Sequence, residues 1–269
     1  MPELPEVETV TQSIKKHLIN QNFSSINVYW PKVLHNFSAD DFNSKIKGVK
    51  IEQIYRRGKF IILDFKRYIL AVHLRMTGKL YVQPTLDKSK KHISVSLKFS
   101  DRYLVFEDTR KFGRFYLYES INKLDEKLGI EPFDINFNED WLKVNLKNKS
   151  RQMKSLLLDQ SFIVGLGNIY TDEVLWYAQI HPLSKSDSVP LKKIKKLYYA
   201  IPKVLSESIK SGGTTIRDYT YDYSYVGNYA INLNAYGRNN KNCKRCESRI
   251  IKCKVAQRGT FICPTCQSL

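Results

Sequence analysis

A chain of 269 residues, 42% hydrophobic and 26% charged, has the composition of a water-soluble globular protein with room for one large domain or two ordinary ones. Its 44 Lys and Arg outweigh 26 Asp and Glu, leaving a formal charge of +18 that points to a polyanionic partner. Arg and aromatic residues recur in tight groups, which favours nucleic acid, and no run reaches the roughly eighteen apolar residues that argue against a purely soluble chain. The start has no signal-peptide layout, so the chain is read as intracellular, with no membrane partner. All five cysteines fall after residue 240, and in a reducing compartment such a cluster points to metal rather than to disulfides.

Met1-Pro2-Glu3-Leu4-Pro5-Glu6 opens the chain. Val7, Val10, Ile14 and Leu18 then recur at helical spacing with Lys15, Lys16 and His17 opposite, predicting an amphipathic helix that ends near Asn20. Two readings of the opening stand side by side. Pro and Glu both favour a helix's first turn. Once Met1 is removed, though, Pro2 is a free secondary amine at the helix mouth, with the Glu3 and Glu6 carboxylates as acid/base partners. From about 24 to 118 the period becomes two. Ile93, Val95, Leu97 and Phe99 alternate with Ser94, Ser96 and Lys98 as a half-buried strand, and apolar runs at 60–63, 68–72 and 103–106 are cut by Gly58, Gly78, Pro84 and Gly113. Short strands with such punctuation predict a β-sandwich or barrel with the first helix laid against it.

Residues 119–138 are a polar connection with Gly129 and Pro132, a domain boundary. Helical patterns follow over 141–146, 153–158, 169–178 and 191–209, with Pro202 expected to kink or divide the last. Gly165, Gly167 and Asn168 suit a tight turn whose backbone approaches a ligand closely. Residues 211–238, with Tyr219, Tyr221, Tyr223 and Tyr225 in alternation, read as a long loop.

Cys243-x2-Cys246-x16-Cys263-x2-Cys266 is the strongest local signal. Two such knuckles match a closed tetrahedral site, implying one structural Zn2+ per chain that folds a small hairpin. Cys253 belongs to neither knuckle and reads as a packing residue. Arg258 lies between the pairs among many Lys and Arg, so the hairpin is expected to meet phosphates. In Arg110-Lys111-Phe112-Gly113, a guanidinium suited to base edges stands beside a ring suited to wedging into a stack; a cationic strand end without function has the same composition. His73-Leu74-Arg75-Met76-Thr77-Gly78 is similar in kind, and Arg56-Arg57-Gly58-Lys59 places three cations around a turn glycine.

Taken in order, Pro2-Glu3-Leu4-Pro5-Glu6-Val7-Glu8-Thr9-Val10, the 56–59 and 73–78 groups, Gly167-Asn168-Ile169-Tyr170-x-Asp172-Glu173 and Gln257-Arg258-Gly259-Thr260 through Gln267 resemble the bacterial formamidopyrimidine-DNA glycosylases along the whole chain. The resemblance implies an α+β multidomain fold: an N-terminal helix plus β-sandwich catalytic domain (1–130), a helix–two-turn–helix domain with a lesion-capping loop (131–238) and a zinc-finger β-hairpin (239–269). It implies a bifunctional glycosylase and abasic-site lyase that flips out oxidised purines, 8-oxoguanine and formamidopyrimidines, attacks C1′ through the Pro2 amine, and cleaves the strand by β,δ-elimination. Extrusion is required because C1′ cannot be handled inside the stack. Glu3 is then the general acid/base and Lys59 a contact to the lesion and its phosphate. Met76, Arg110 and Phe112 fill the void, and His73, Lys154, Asn168 and Arg258 complete the DNA-contact set. The partner is double-stranded DNA containing oxidised bases, and the enzyme a monomer of the bacterial cytoplasm, associated with the nucleoid. An α-amine, with a pKa of about 8 against about 10.4 for lysine, is the better nucleophile near neutrality. The departure from the family lies at 217–229, Tyr-rich here, which bears on lesion preference. Two rivals are an endonuclease VIII-type enzyme for oxidised pyrimidines and a non-catalytic DNA-binding zinc protein.

Overall fold

The structure is a computed structural model that describes residues 1–87, 89–214 and 227–269. The chain forms two compact units. One comprises Met1–Glu126 with the described part of Gly212–Asn228, the other Lys127–Ser211 with Tyr229–Leu269.

In the first unit, α1 (Leu4–Leu18) starts at Glu3 through a reciprocal capping box with Glu6, and Lys15, Lys16 and His17 complement the dipole of its last turn. Its buried stripe of Val7, Val10, Ile14 and Leu18 faces the core as the periodicity requires. Two four-stranded antiparallel sheets follow. The first is ordered β1 (Phe23–Val28), β6 (Ile93–Phe99), β7 (Tyr103–Glu107), β5 (Lys79–Gln83); the second β2 (Gln53–Arg57), β3 (Phe60–Asp64), β4 (Ile69–His73), β8 (Arg114–Tyr118). Their inner faces share one apolar core, with Ile61, Leu63 and Val72 from one sheet and Val95, Leu97 and Phe106 from the other.

Two details of this unit differ from the sequence reading. Ser94 and Ser96 are buried rather than solvated, and the β1 ladder continues past its end, the Tyr29 and Trp30 amides both donating to the Ser94 carbonyl. A helix, α2 (Ala39–Ile46), also interrupts the strands. Ser38 caps it by accepting the Asp41 amide at 3.1 Å, and Phe42 packs edge-on against Phe23 with ring centroids 4.9 Å apart.

A short turn of helix, α3 (Asn122–Asp125), closes this unit, its Asp125 paired with Arg57 at 2.6 Å. In the second unit, α4 (Glu139–Lys147), α5 (Met153–Leu157), α6 (Asn168–Ala178) and α7 (Leu191–Lys210) pack together, α6 also carrying the hairpin of β9 (Ile251–Val255) and β10 (Arg258–Ile262). Pro202 does not divide α7. The helix runs unbroken through it, with Ile201, Val204 and Leu205 buried on either side, so packing of that face outweighs the one lost backbone bond. Among the described residues no helix is long and apolar enough to cross a membrane.

Candidate active site

Pro2 is buried at the mouth of α1, whereas Met1 is 55% exposed. Glu3 and Glu6 are both buried. The Glu3 amide donates to Glu6 Oε2 at 2.8 Å, and the other carboxylate oxygen, Oε1, accepts the Thr214 amide at 2.7 Å. Gly213, beside it, has φ +87°, and a Cβ there would sit 2.8 Å from Glu6 Oε1, so glycine is required twice over. Lys59 is buried, on a two-residue turn whose Gly58 has φ +56°. Arg56 fixes that turn to α1 by donating to Glu8 at 2.9 Å and to the Gly58 carbonyl at 3.0 Å.

His73, at the end of β4, is buried, and burial together with the nearby Arg75 and Lys59 charges lowers its pKa to about 3, so the ring is neutral. Its Nδ1 accepts the Arg75 amide at 3.0 Å, which supports the left-handed Arg75 (φ +57°) and sets the turn that presents Met76. Met76 and Phe112 remain 44% and 46% exposed, and the Arg110 guanidinium lies 4.8 Å from the Phe112 ring centre. Met1, Arg75, Met76 and Phe112 line one cleft of about 490 Å³ with His35, Arg114 and Tyr116. The chain start therefore opens onto the same space as two exposed apolar side chains and two guanidinium-bearing residues.

In the second unit, Asn168 opens α6 and its Nδ2 donates to the Gly259 carbonyl at 2.9 Å. Arg258 is exposed at the start of β10, after a tight turn in which Ala256 and Gln257 are both left-handed (φ +49° and +57°). Lys154 is fully buried. Its Nζ donates to Asp172 Oδ1 at 2.6 Å, to Thr260 Oγ1 at 2.8 Å and to the Gly259 carbonyl at 3.3 Å. Asp172 Oδ2 accepts the Phe261 amide at 2.9 Å; burial raises its pKa to about 7 against the downward pull of Lys154. Lys154 thus braces the hairpin turn from behind. Glu173, equally buried, accepts the amides of Asn234, Ala235 and Tyr236 at 2.8–2.9 Å and so secures the segment leading to the first knuckle.

The Sγ atoms of Cys243, Cys246, Cys263 and Cys266 all lie within 4.8 Å of one another. Four thiolates at Zn–S bonds of about 2.3 Å form a tetrahedron with edges of about 3.8 Å, which falls within that limit. The amides of Arg245 and Cys266 and the Trp176 indole N–H all point at knuckle sulfurs, at 3.4–3.5 Å, as suits negatively charged ligands. The donor set fits zinc. Cys253 stands outside this group, and burial pushes its thiol up, consistent with packing.

Residues 1–115 match the formamidopyrimidine-DNA glycosylase N-terminal domain, 128–220 the H2TH domain of the same enzymes, and 240–269 the zinc finger found in FPG and IleRS. The chain belongs to the formamidopyrimidine-DNA glycosylase family. Among its relatives, a formamidopyrimidine-DNA glycosylase of Oceanobacillus iheyensis is 40% identical over 273 residues, 99% of this chain and 98% of that one. A Lactococcus lactis FPG variant crystallised with Fapy-dG-containing DNA superposes with a TM-score of 0.93 at 36% identity, each chain covered completely. MutM in complex with DNA containing carbocyclic 8-oxo-G gives 0.91 at 36%, again over both whole chains.

Within this family member, the first unit brings Pro2, Glu3, Lys59, His73, Met76, Arg110 and Phe112 into one body, and the second holds Lys154, Asn168, Arg258 and the four cysteines. Sequence reasoning left Asp108, Thr77 and the Thr214 contact of Glu6 unassigned. Only the placement of Glu6 at the third helical position of a capping box was there to be noticed. Most of the Tyr-rich 217–229 stretch lies outside the described residues.

Proposed function

We propose that this protein is a DNA glycosylase that excises oxidised purines, 8-oxoguanine and formamidopyrimidines, from duplex DNA and then cleaves the strand at the abasic site. The observation that carries the reading is the cleft shared by Met1, Met76 and Phe112, in a chain belonging to this family. Removing Met1 exposes the secondary amine of Pro2 to that space. The amine attacks C1′, the glycosidic bond breaks, and the base departs with the electron pair and a proton. As the sugar ring opens and the amine proton is lost, an iminium joins Pro2 to C1′. Loss of a C2′ proton then expels the 3′ phosphate, and a second elimination expels the 5′ phosphate.

Glu3, buried one residue from the amine, exchanges protons with the opening sugar. Lys59, carried on the same unit, holds the lesion's phosphate. Met76, Arg110 and Phe112 occupy the space of the extruded nucleotide, with His73 neutral beneath the Met76 turn. Asn168 and Arg258 grip the strand, and Lys154 serves by holding the turn that carries Arg258. Cys243, Cys246, Cys263 and Cys266 would hold a zinc ion that cross-links the hairpin and takes no part in the chemistry. The partner is DNA containing oxidised bases, met by a single chain in the bacterial cytoplasm at the nucleoid.

Borohydride trapping tests the reading. Protein lacking Met1 should form a covalent adduct with an 8-oxoguanine duplex, and protein whose terminal amine is blocked should bind without trapping. Absence of an adduct from the processed protein would overturn it, and faster excision of thymine glycol would redirect it to oxidised pyrimidines.

A further inference from the structure

We propose that Asp108 is a positioning residue that locks the Met76 turn and the Arg110–Phe112 turn into a single wedge; the proposal rests on the glycosylase reading above. The two turns are distant in sequence, one leading from β4 to β5 and the other from β7 to β8, and each passes from one sheet of the sandwich to the other. Asp108 is 1% exposed, and its carboxylate joins them. Oδ1 accepts the Thr77 hydroxyl at 2.5 Å and the Arg110 amide at 3.1 Å, while Oδ2 accepts the Gly113 amide at 2.7 Å. The Arg110 amide also lies 3.3 Å from Thr77 Oγ1, which closes the ring.

Bonds from Asp108 to Arg110 and Gly113 would organise its own turn alone. The bond to Thr77 spans 31 residues and reaches the neighbour of Met76. Packing repeats the link. A Cβ at Gly78 would lie 2.7 Å from Phe106 Cζ and one at Gly113 only 2.2 Å from the same atom, so both turns rest on one buried ring. A carboxylate receiving three donors away from water makes strong, directional bonds. Inserting apolar side chains into a stack requires unstacking it, and a wedge already ordered in the free protein avoids the further cost of ordering two loops.

The test compares Thr77→Val, which removes the hydroxyl at constant shape, with Thr77→Ser, which keeps it. Single-turnover excision is measured on an 8-oxoguanine duplex, and borohydride trapping on an abasic site in single-stranded DNA, which has no stack to open. A duplex carrying 2-aminopurine opposite the lesion reports wedge insertion by its fluorescence. Thr77→Val should lose about tenfold in duplex excision, the size of one hydrogen bond to a charged group. It should also show a weakened 2-aminopurine signal, trap single-stranded substrate like the wild type, and be rescued by Thr77→Ser. In a double-mutant cycle, Thr77→Val should cost less in a Phe112→Ala background than in the wild type. Wild-type duplex excision by Thr77→Val, additive costs, or an equal loss on single-stranded substrate would each overturn the proposal. Wild-type protein that traps neither substrate would refute the glycosylase reading instead, and the 2-aminopurine signal would still decide on the wedge.

Discussion

Replacing Lys154 with Met removes the positive half of an ion pair whose two side chains are both 0% exposed. The Asp172 carboxylate keeps one donor, the Phe261 amide, while Thr260 Oγ1 and the Gly259 carbonyl each lose one. Breaking a buried pair on one side costs about 3–5 kcal/mol, because the surviving charge is stranded. Here Asp172 stands near pH 7 even with its partner, so it escapes by taking up a proton, which places the cost at the lower end, about 3 kcal/mol. For a unit of this size that lowers the melting temperature by on the order of 10 °C. The double variant Lys154→Met/Asp172→Asn keeps an acceptor for Phe261 and strands no charge, and should recover most of the loss. Calorimetry on the zinc-loaded protein measures both. Fluorescence anisotropy on a duplex adds a second readout: the salt dependence of binding should keep its slope in Lys154→Met, whereas Arg258→Ala should reduce it by about 0.9. A single variant melting within 2 °C of wild type, on the scale of about 10 °C set above, would refute the bracing role. A slope change in Lys154→Met would show instead that the ammonium meets phosphate.

Three further outcomes are expected. Chelating zinc should unfold the hairpin that carries Arg258 and abolish tight DNA binding, with circular dichroism showing the β-sandwich unit intact; binding that survives complete chelation contradicts the structural role. His73, whose folded pKa of about 3 lies below its unfolded value, takes up a proton on unfolding, so its contribution is present above about pH 6.5 and is lost as the pH falls toward 3. Between pH 7 and 5 the wild type should lose about 2 kcal/mol more stability than His73→Gln in urea titrations, and equal losses would reject the assignment. Gly213→Ala forces a Cβ onto the Glu6 carboxylate at a left-handed position, costs about 1–3 kcal/mol locally, and should lower the excision rate while leaving affinity for undamaged duplex unchanged.

What could be read in the sequence was local. The stripe of Val7, Val10, Ile14 and Leu18, the paired cysteine knuckles and the alternation through Ile93–Phe99 each state their structure within one window. Helix α2 escaped because only Phe42 and Ile46 face the core, too few to make a period, although Ser38 was a legible cap. Pro202 does not divide its helix because the turns around it are held by tertiary packing that no local rule contains. The same limit hid Asp108 and the long-range contact of Glu6, whose carboxylate the sequence offers only as an acid/base partner of Pro2. Their roles come from Thr77 and Thr214, the latter 208 residues away from its acceptor. Lys154 shows the converse, since a lysine in a basic DNA-binding chain invites a phosphate and its burial instead aims it inward.

The carboxylate of Glu6 has one further consequence. It holds the Thr214 amide; Thr214 in turn forms an antiparallel bridge with Asn228, and Gly227 lies so close to the Gly213 carbonyl that a Cβ would come within 2.2 Å of it. Departure and return of the chain are thereby fastened at one point, a few residues from Pro2. One carboxylate thus serves both the first turn of the helix behind Pro2 and the bridge between Thr214 and Asn228.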